Sequence, residues 1–152
     1  MMYDKNFLVS FSERTLHNYN NYLKDKKNEK YDATLLICSF AGILSILDDN
    51  ARKEIFEDID LPCYICPEKN YYIDSRKDNN KENLAILRHM RNALCHFKLD
   101  AEHILPDKDN NIKEIVFEDF YLGSRCFKCK LNINELQETF YFIIKTIQST
   151  NR

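Results

Sequence analysis

The chain reads as a mainly helical fold with one short β-hairpin placed before its last helix. Three observations carry that reading. Only two glycines and three prolines punctuate 152 residues, which favours long regular elements over a turn-rich sandwich. Apolar residues recur at helical spacing through four long stretches. The segments EIVFEDFY and RCFKCKL, on either side of Leu122-Gly123-Ser124, instead alternate apolar and polar residues, as strands with one buried face do. At 44% apolar content, residues 1–152 form one domain with enough core to dispense with staples.

Taken in order, a first helix over about 11–26 carries Leu16, Tyr19 and Leu23 at helical spacing, with Ser10 or Ser12 as caps. KDKKNEK then makes a charged connection. The second helix, about 32–47, is apolar almost all round, so it belongs at the centre. Its run TLLICSFAGILSIL has 14 residues, short of the roughly 20 that cross a bilayer. Asp48-Asp49-Asn50 breaks the pattern, and Asn50 caps a short helix over 51–58. Residues 61–80 hold two prolines and KDNNKEN begins at their end, which makes an irregular excursion. Tyr71 and Tyr72 within it either stack on unpaired bases or pack the loop down. A third long helix begins near Lys81. The last follows Asn132, whose Glu135 three residues on makes a capping box, and runs to about Ser149.

A formal charge of −2 excludes a global attraction to nucleic acid or membrane, so contact with an anionic polymer needs a local patch. MMYDKNFLVSF has no apolar export core, and a cytoplasmic location with no membrane partner is expected. In a reducing compartment the six cysteines are not a disulfide framework. Cys38 and Cys95, in apolar helical surroundings, read as small core residues.

The third helix carries the chemistry, in LRHMRNALCHFKL over 87–99. Ile86, Leu87, Met90, Ala93, Leu94 and Phe97 fall on one side, and Arg88, His89, Asn92 and His96 on the other. Arg88, Asn92 and His96 are four apart and form one ridge, with Arg91 on its flank. Arginine matches phosphate with a planar fork of donors, and histidine can move a proton near neutral pH. Together they suit phosphodiester chemistry.

Arg91-Asn92-Ala93-Leu94-Cys95-His96 resembles the R-polar-x-x-x-H motif of HEPN domains. YDATLLICSFAGIL before it, and IKEIVFEDF and FKCKLNINELQETF after it, resemble a subfamily of small single-domain HEPN proteins. The resemblance implies an up-and-down helical bundle that dimerises through the motif helix, with no cofactor. It also implies a metal-independent endoribonuclease, acting as a toxin or anti-phage effector and neutralised by an antitoxin protein. His96 would transfer protons, Arg91 would bind the scissile phosphate, and Asn92 would orient one or the other. One His and one Arg are few groups for this reaction. Two copies facing across a two-fold axis would supply an acid, a base and two guanidiniums. Arg88, His89 and Lys98 would hold the RNA backbone.

Two other readings stay open. A HEPN domain without catalysis would bind RNA, nucleotide or a protein partner. A zinc-stabilised interaction module would use the CxxC pairs Cys63/Cys66 and Cys126/Cys129. Against zinc, the pairs stand about 60 residues apart, where a ribbon usually spaces them about 15–20 apart. The second pair also lies on a predicted strand, where residues three apart face opposite ways. Cys129 there joins Phe127 and Leu131 on the buried side.

Overall fold

The structure is a computed structural model describing residues 4–25, 32–96, 103–108 and 111–150. Among these residues, five helices and three strands follow the order α1 (Lys5–Leu23), α2 (Asp32–Ile46), α3 (Asp49–Phe56), α4 (Glu82–Cys95), β1 (Ile104–Pro106), β2 (Ile112–Tyr121), β3 (Ser124–Asn132) and α5 (Ile133–Ser149). The fold is therefore mainly helical, with a small antiparallel sheet before the last helix.

Local chemistry sets the boundaries. α1 starts earlier than expected because Asp4, not Ser10 or Ser12, accepts the free N–H groups of Asn6 and Phe7 at 3.0 and 3.2 Å. α3 is likewise capped by Asp48, which accepts from Ala51 N–H at 2.8 Å, so Asn50 sits inside the helix. α5 opens with the expected capping box: Asn132 accepts from Glu135 N–H at 2.8 Å, and Glu135 accepts from Asn132 N–H at 2.9 Å. The KDKKNEK connection lies mostly outside the described residues.

α2 is the central helix, packed against α1, α4 and α5. Leu36, Phe40, Ile43 and Leu44 from α2 meet Leu84, Leu87 and Met90 from α4 and Phe140, Ile143 and Ile144 from α5 in one core cluster. Burial does not run all the way round α2. Cys38 is exposed, with Thr34 four residues before it and Ser45 seven after, on a side that no described element covers. Cys95, in the last turn of α4, is exposed too. Neither cysteine is a core residue, contrary to the expectation from their apolar neighbours.

The hairpin forms as expected between β2 and β3, and β1 adds a third strand against β2. Ile115 and Phe117 of β2 face the core opposite Leu131 and Cys129 of β3. The two-residue turn has positive φ at both Leu122 (49°) and Gly123 (81°), the requirement of a type I′ hairpin turn. Between Asp119↔Phe127 and Phe120↔Arg125 the register shifts, leaving Cys126 as the extra residue of a bulge.

The 61–80 segment is irregular throughout, as expected, and it is tied down. Glu68 and Tyr72 donate backbone N–H bonds to the carbonyls of Lys128 (2.8 Å) and Cys126 (3.2 Å), so the segment covers the outer edge of β3. Asn70, Asn79 and Asn80 take its left-handed positions, which asparagine tolerates better than most residues.

Candidate functional site

Burial extends around most of α4, including the side where a solvated polar face was expected. Arg88 is 7% exposed and His89 is fully buried. The 72–78 stretch and the β2–β3 bulge cover that face, and both supply oxygen acceptors. Arg88 Nε donates to Asp78 Oδ1 and Oδ2 at 2.9 and 3.1 Å, and its Nη2 donates to Asp78 Oδ2 at 2.7 Å and to the Tyr72 carbonyl at 3.3 Å. Burial alone would pull this guanidinium down, and the Asp78 hydrogen bonds outweigh it, leaving its pKa above the ordinary value. Asp78 also takes a bond from Arg52 Nη2 at 3.3 Å, and Arg52 is itself buried. The positive patch expected from Arg88 and His89 is thus compensated inside the protein rather than displayed. Lys98 lies outside the described residues.

His89 is held on both ring nitrogens. Nε2 lies 2.6 Å from the Tyr72 carbonyl and Nδ1 lies 2.9 Å from Asp119 Oδ2. The ring stacks on Phe127 at 4.8 Å between centroids, 9° from parallel. Asp119 Oδ2 also accepts from Asn92 Nδ2 at 2.9 Å, and Asp119 Oδ1 accepts from Phe120 N–H at 2.9 Å. Burial alone would raise this carboxyl, but the bonds from His89 and Asn92 hold it below the ordinary carboxylate range. One aspartate therefore fixes the polar residue of the motif and its buried histidine together.

Arg91, on the flank of the ridge as expected, turns toward the α2–α3 corner. Its Nη1 donates to the Leu47 carbonyl at 3.2 Å and lies 3.6 Å from Asp49, and its Nη2 donates to Asn92 Oδ1 at 3.4 Å. His96 caps the end of α4 with its side chain exposed. His96, Asn92, His89, Arg88 and Asp119 all line one cavity of about 860 Å³, within the range of small-ligand sites. Arg91 is not part of that wall. Lys77, Asp74, Tyr72 and Tyr121 are among the other residues that line it, and both tyrosines are more than half exposed. Tyr71 instead packs inward, bonded to Glu82 and set edge-on to His89 and Phe127, so of that pair Tyr72 is the exposed ring, with the Arg88 guanidinium 5.9 Å from its centroid.

Asp119, Asp78 and Arg52 were not singled out from the sequence. A signal existed for Asp119: it falls at the inward register of β2, in step with Ile115 and Phe117, where a carboxylate needs a buried partner. Nothing local marked Asp78, whose arginine partners lie 10 and 26 residues away.

Among the described residues the four cysteines of the CxxC pairs do not gather at one point, although the backbone of Cys66 bonds to the Cys129 thiol. Cys63 and Cys66 are exposed in the 61–80 segment, and Cys129 is buried beside Phe127 and Leu131, as strand alternation predicts. Burial pushes the Cys129 thiol up to about 11. Cys126 turns the other way, toward His89, with Sγ 4.0 Å from Nδ1. Among the described residues, the cluster able to hold a metal is His89, Asp119 and Cys126, not four thiols.

Among the described residues, no helix is long and apolar enough to cross a membrane. No curated protein and no solved structure matches the chain. The HEPN pEK499 p136 family matches it over residues 1–152. With that match over its whole length, around a helix that carries Arg91, Asn92 and His96, the chain belongs to the HEPN family.

Proposed function

We propose that the chain is a metal-independent endoribonuclease that works as a homodimer in the cytoplasm, with Arg91, Asn92 and His96 at a site composed from two copies. The observation that carries this reading is the division of the motif within one copy. His96 stands exposed in the cavity wall, whereas Arg91 of the same helix points to the α2–α3 corner. Five residues correspond to about 140° around a helix, so one copy presents the two groups to different directions. A second copy, related by a two-fold axis along α4, supplies the missing arginine and a second histidine.

In the reaction, one His96 takes the proton of a ribose 2′-hydroxyl. The 2′-oxygen attacks the adjacent phosphorus, the bond to the 5′-oxygen breaks, and the other His96 protonates that leaving oxygen. Arg91 stabilises the charge on the phosphoryl oxygens. Asn92, held by Asp119, keeps its amide in a fixed direction beside Arg91. Arg88 and His89, with their side-chain nitrogens engaged, hold the 72–78 stretch and Asp119 in place, and Lys98 meets the RNA backbone. A neutralising partner protein would act by covering the cavity or separating the copies.

A second reading is a HEPN domain that binds RNA or a partner without turnover. The bonds of Arg91 to the Leu47 carbonyl and Asn92 favour it, because they must break before the guanidinium can grip a phosphate. The test is cleavage of a broad RNA panel in excess EDTA, beside a His96→Ala variant of unchanged fold and oligomeric state. Loss of at least about 10²-fold in the variant is expected for a general acid or base. Cleavage by both proteins alike would remove His96 from the chemistry, and none by the wild type would leave the binding reading.

A further inference from the structure

We propose that His89, Asp119 and Cys126 form a divalent transition-metal site of the zinc type, in the wall of the cavity that also holds His96. The proposal is independent of the ribonuclease reading, since the metal takes no step in that reaction. His89 Nδ1, a carboxylate oxygen of Asp119 and Cys126 Sγ all lie within 4.8 Å of one another. Zinc bonds of about 2.0–2.3 Å at tetrahedral angles put neighbouring donor atoms roughly 3.3–3.6 Å apart. The Nδ1 to Oδ2 separation of 2.9 Å would open and the Nδ1 to Sγ separation of 4.0 Å would close, each by about half an ångström, and the oxygen–sulfur pair, within 4.8 Å, would close by up to about 1.3 Å. A mixed nitrogen, sulfur and oxygen set suits zinc better than magnesium or calcium, which take oxygen.

The surroundings match what metal ligands need from their neighbours. A ligating histidine usually gives its other ring N–H to a carbonyl, which fixes the tautomer. His89 Nε2 has the Tyr72 carbonyl at 2.6 Å, so a proton on Nε2 leaves the Nδ1 lone pair facing Asp119 and Cys126. Two lone pairs 2.9 Å apart repel unless a proton or a cation lies between them. Asp119 is itself oriented by Asn92 Nδ2 and Phe120 N–H. Phe127 stacks on the imidazole and fixes its plane. The β3 bulge adds the extra residue that brings a thiol to this point, and bulges commonly re-aim side chains next to functional sites. The nearest cation, Arg88, is neutralised by Asp78. Three protein ligands leave a fourth position for water or an anion, and all three residues line the cavity.

The experiment titrates the chelator-stripped full-length chain with Co²⁺ and then displaces it with Zn²⁺. One equivalent of Co²⁺ is expected to give tetrahedral bands and a thiolate charge-transfer band. Cys126→Ser should abolish the charge-transfer band, Asp119→Asn should weaken binding at least tenfold, and the double variant Cys63→Ser/Cys66→Ser should leave both unchanged. No stoichiometric band in the wild type, or a band that survives Cys126→Ser, would overturn the site. A band lost in the Cys63→Ser/Cys66→Ser protein would do so as well, by placing the metal on the first CxxC pair. Should Cys126→Ser fail to fold, the wild type decides alone: one equivalent of Zn²⁺ must slow alkylation of Cys126, read by peptide mass, and unchanged alkylation rejects the site.

Discussion

Replacing Asp78 by asparagine removes one charge from the most deeply buried ionic cluster in the described structure. Asp78 is fully buried and accepts from four N–H donors: Arg88 Nε and Nη2, Arg52 Nη2 and its own neighbour Asp74 N–H, the last at 2.8 Å. Arg52 is 1% exposed, and its Nε has no hydrogen-bond partner among the described residues. Burial already pulls the Arg52 guanidinium below its ordinary value, against the pull of Asp49. In the Asp78→Asn variant the new amide would keep the shape but turn an NH₂ toward a guanidinium, and two cations would then face each other inside the protein without their shared counterion. Breaking a buried pair in this way costs about 3–5 kcal/mol. For a chain of this size that corresponds to roughly 6–20 °C in Tm. Urea unfolding followed by far-ultraviolet circular dichroism measures it, provided the m-value is unchanged. A loss below about 1 kcal/mol, far under the range for a broken buried pair, would show that the cluster is not the anchor of the 61–80 segment that the geometry makes it.

Two further outcomes follow from particular residues. Leu122 holds φ 49° at 87% exposure, so Leu122→Asn gives up almost no packing and relieves a left-handed leucine. The variant should gain about 1 kcal/mol, seen as a higher urea midpoint, and an unchanged or lower midpoint would refute the assignment of strain to that turn. With its thiol raised to about 11 and 2% exposed, Cys129 should alkylate last at pH 8 in the metal-free native protein, well after exposed Cys38 and Cys63, as read by peptide mass. Equal rates would mean that β3 opens readily from the core.

Features written in short-range chemistry were legible in the sequence. α5 was legible because Asn132 and Glu135 satisfy each other across one turn. The hairpin was legible because Leu122-Gly123 separates two alternating runs, and α2 because a long apolar run needs cover on several sides. β1 was not: three residues carry no period, and pairing with β2 decides them. The starts of α1 and α3 were missed because several polar residues compete to cap, and geometry selects Asp4 and Asp48.

At the site, the periodicity of α4 correctly separated its polar side from its apolar side. It could not show what covers the polar side, because Tyr72, Asp78 and Asp119 reach it from 10 to 30 residues away. Arg88 and His89 therefore look like surface donors in the sequence and are interior anchors in the fold. His96 lies past their cover, which is why it alone of the four residues on that side is exposed.

The most direct measurement on the central claim is the chemistry of the ends that the protein leaves on RNA in excess chelator. Attack by the ribose 2′-hydroxyl predicts 2′,3′-cyclic phosphates and 5′-hydroxyls, and no cut at a linkage whose 5′-side sugar is 2′-deoxy. Products ending in 3′-hydroxyls and 5′-phosphates, or cutting that continues at the 2′-deoxy linkage, would contradict it.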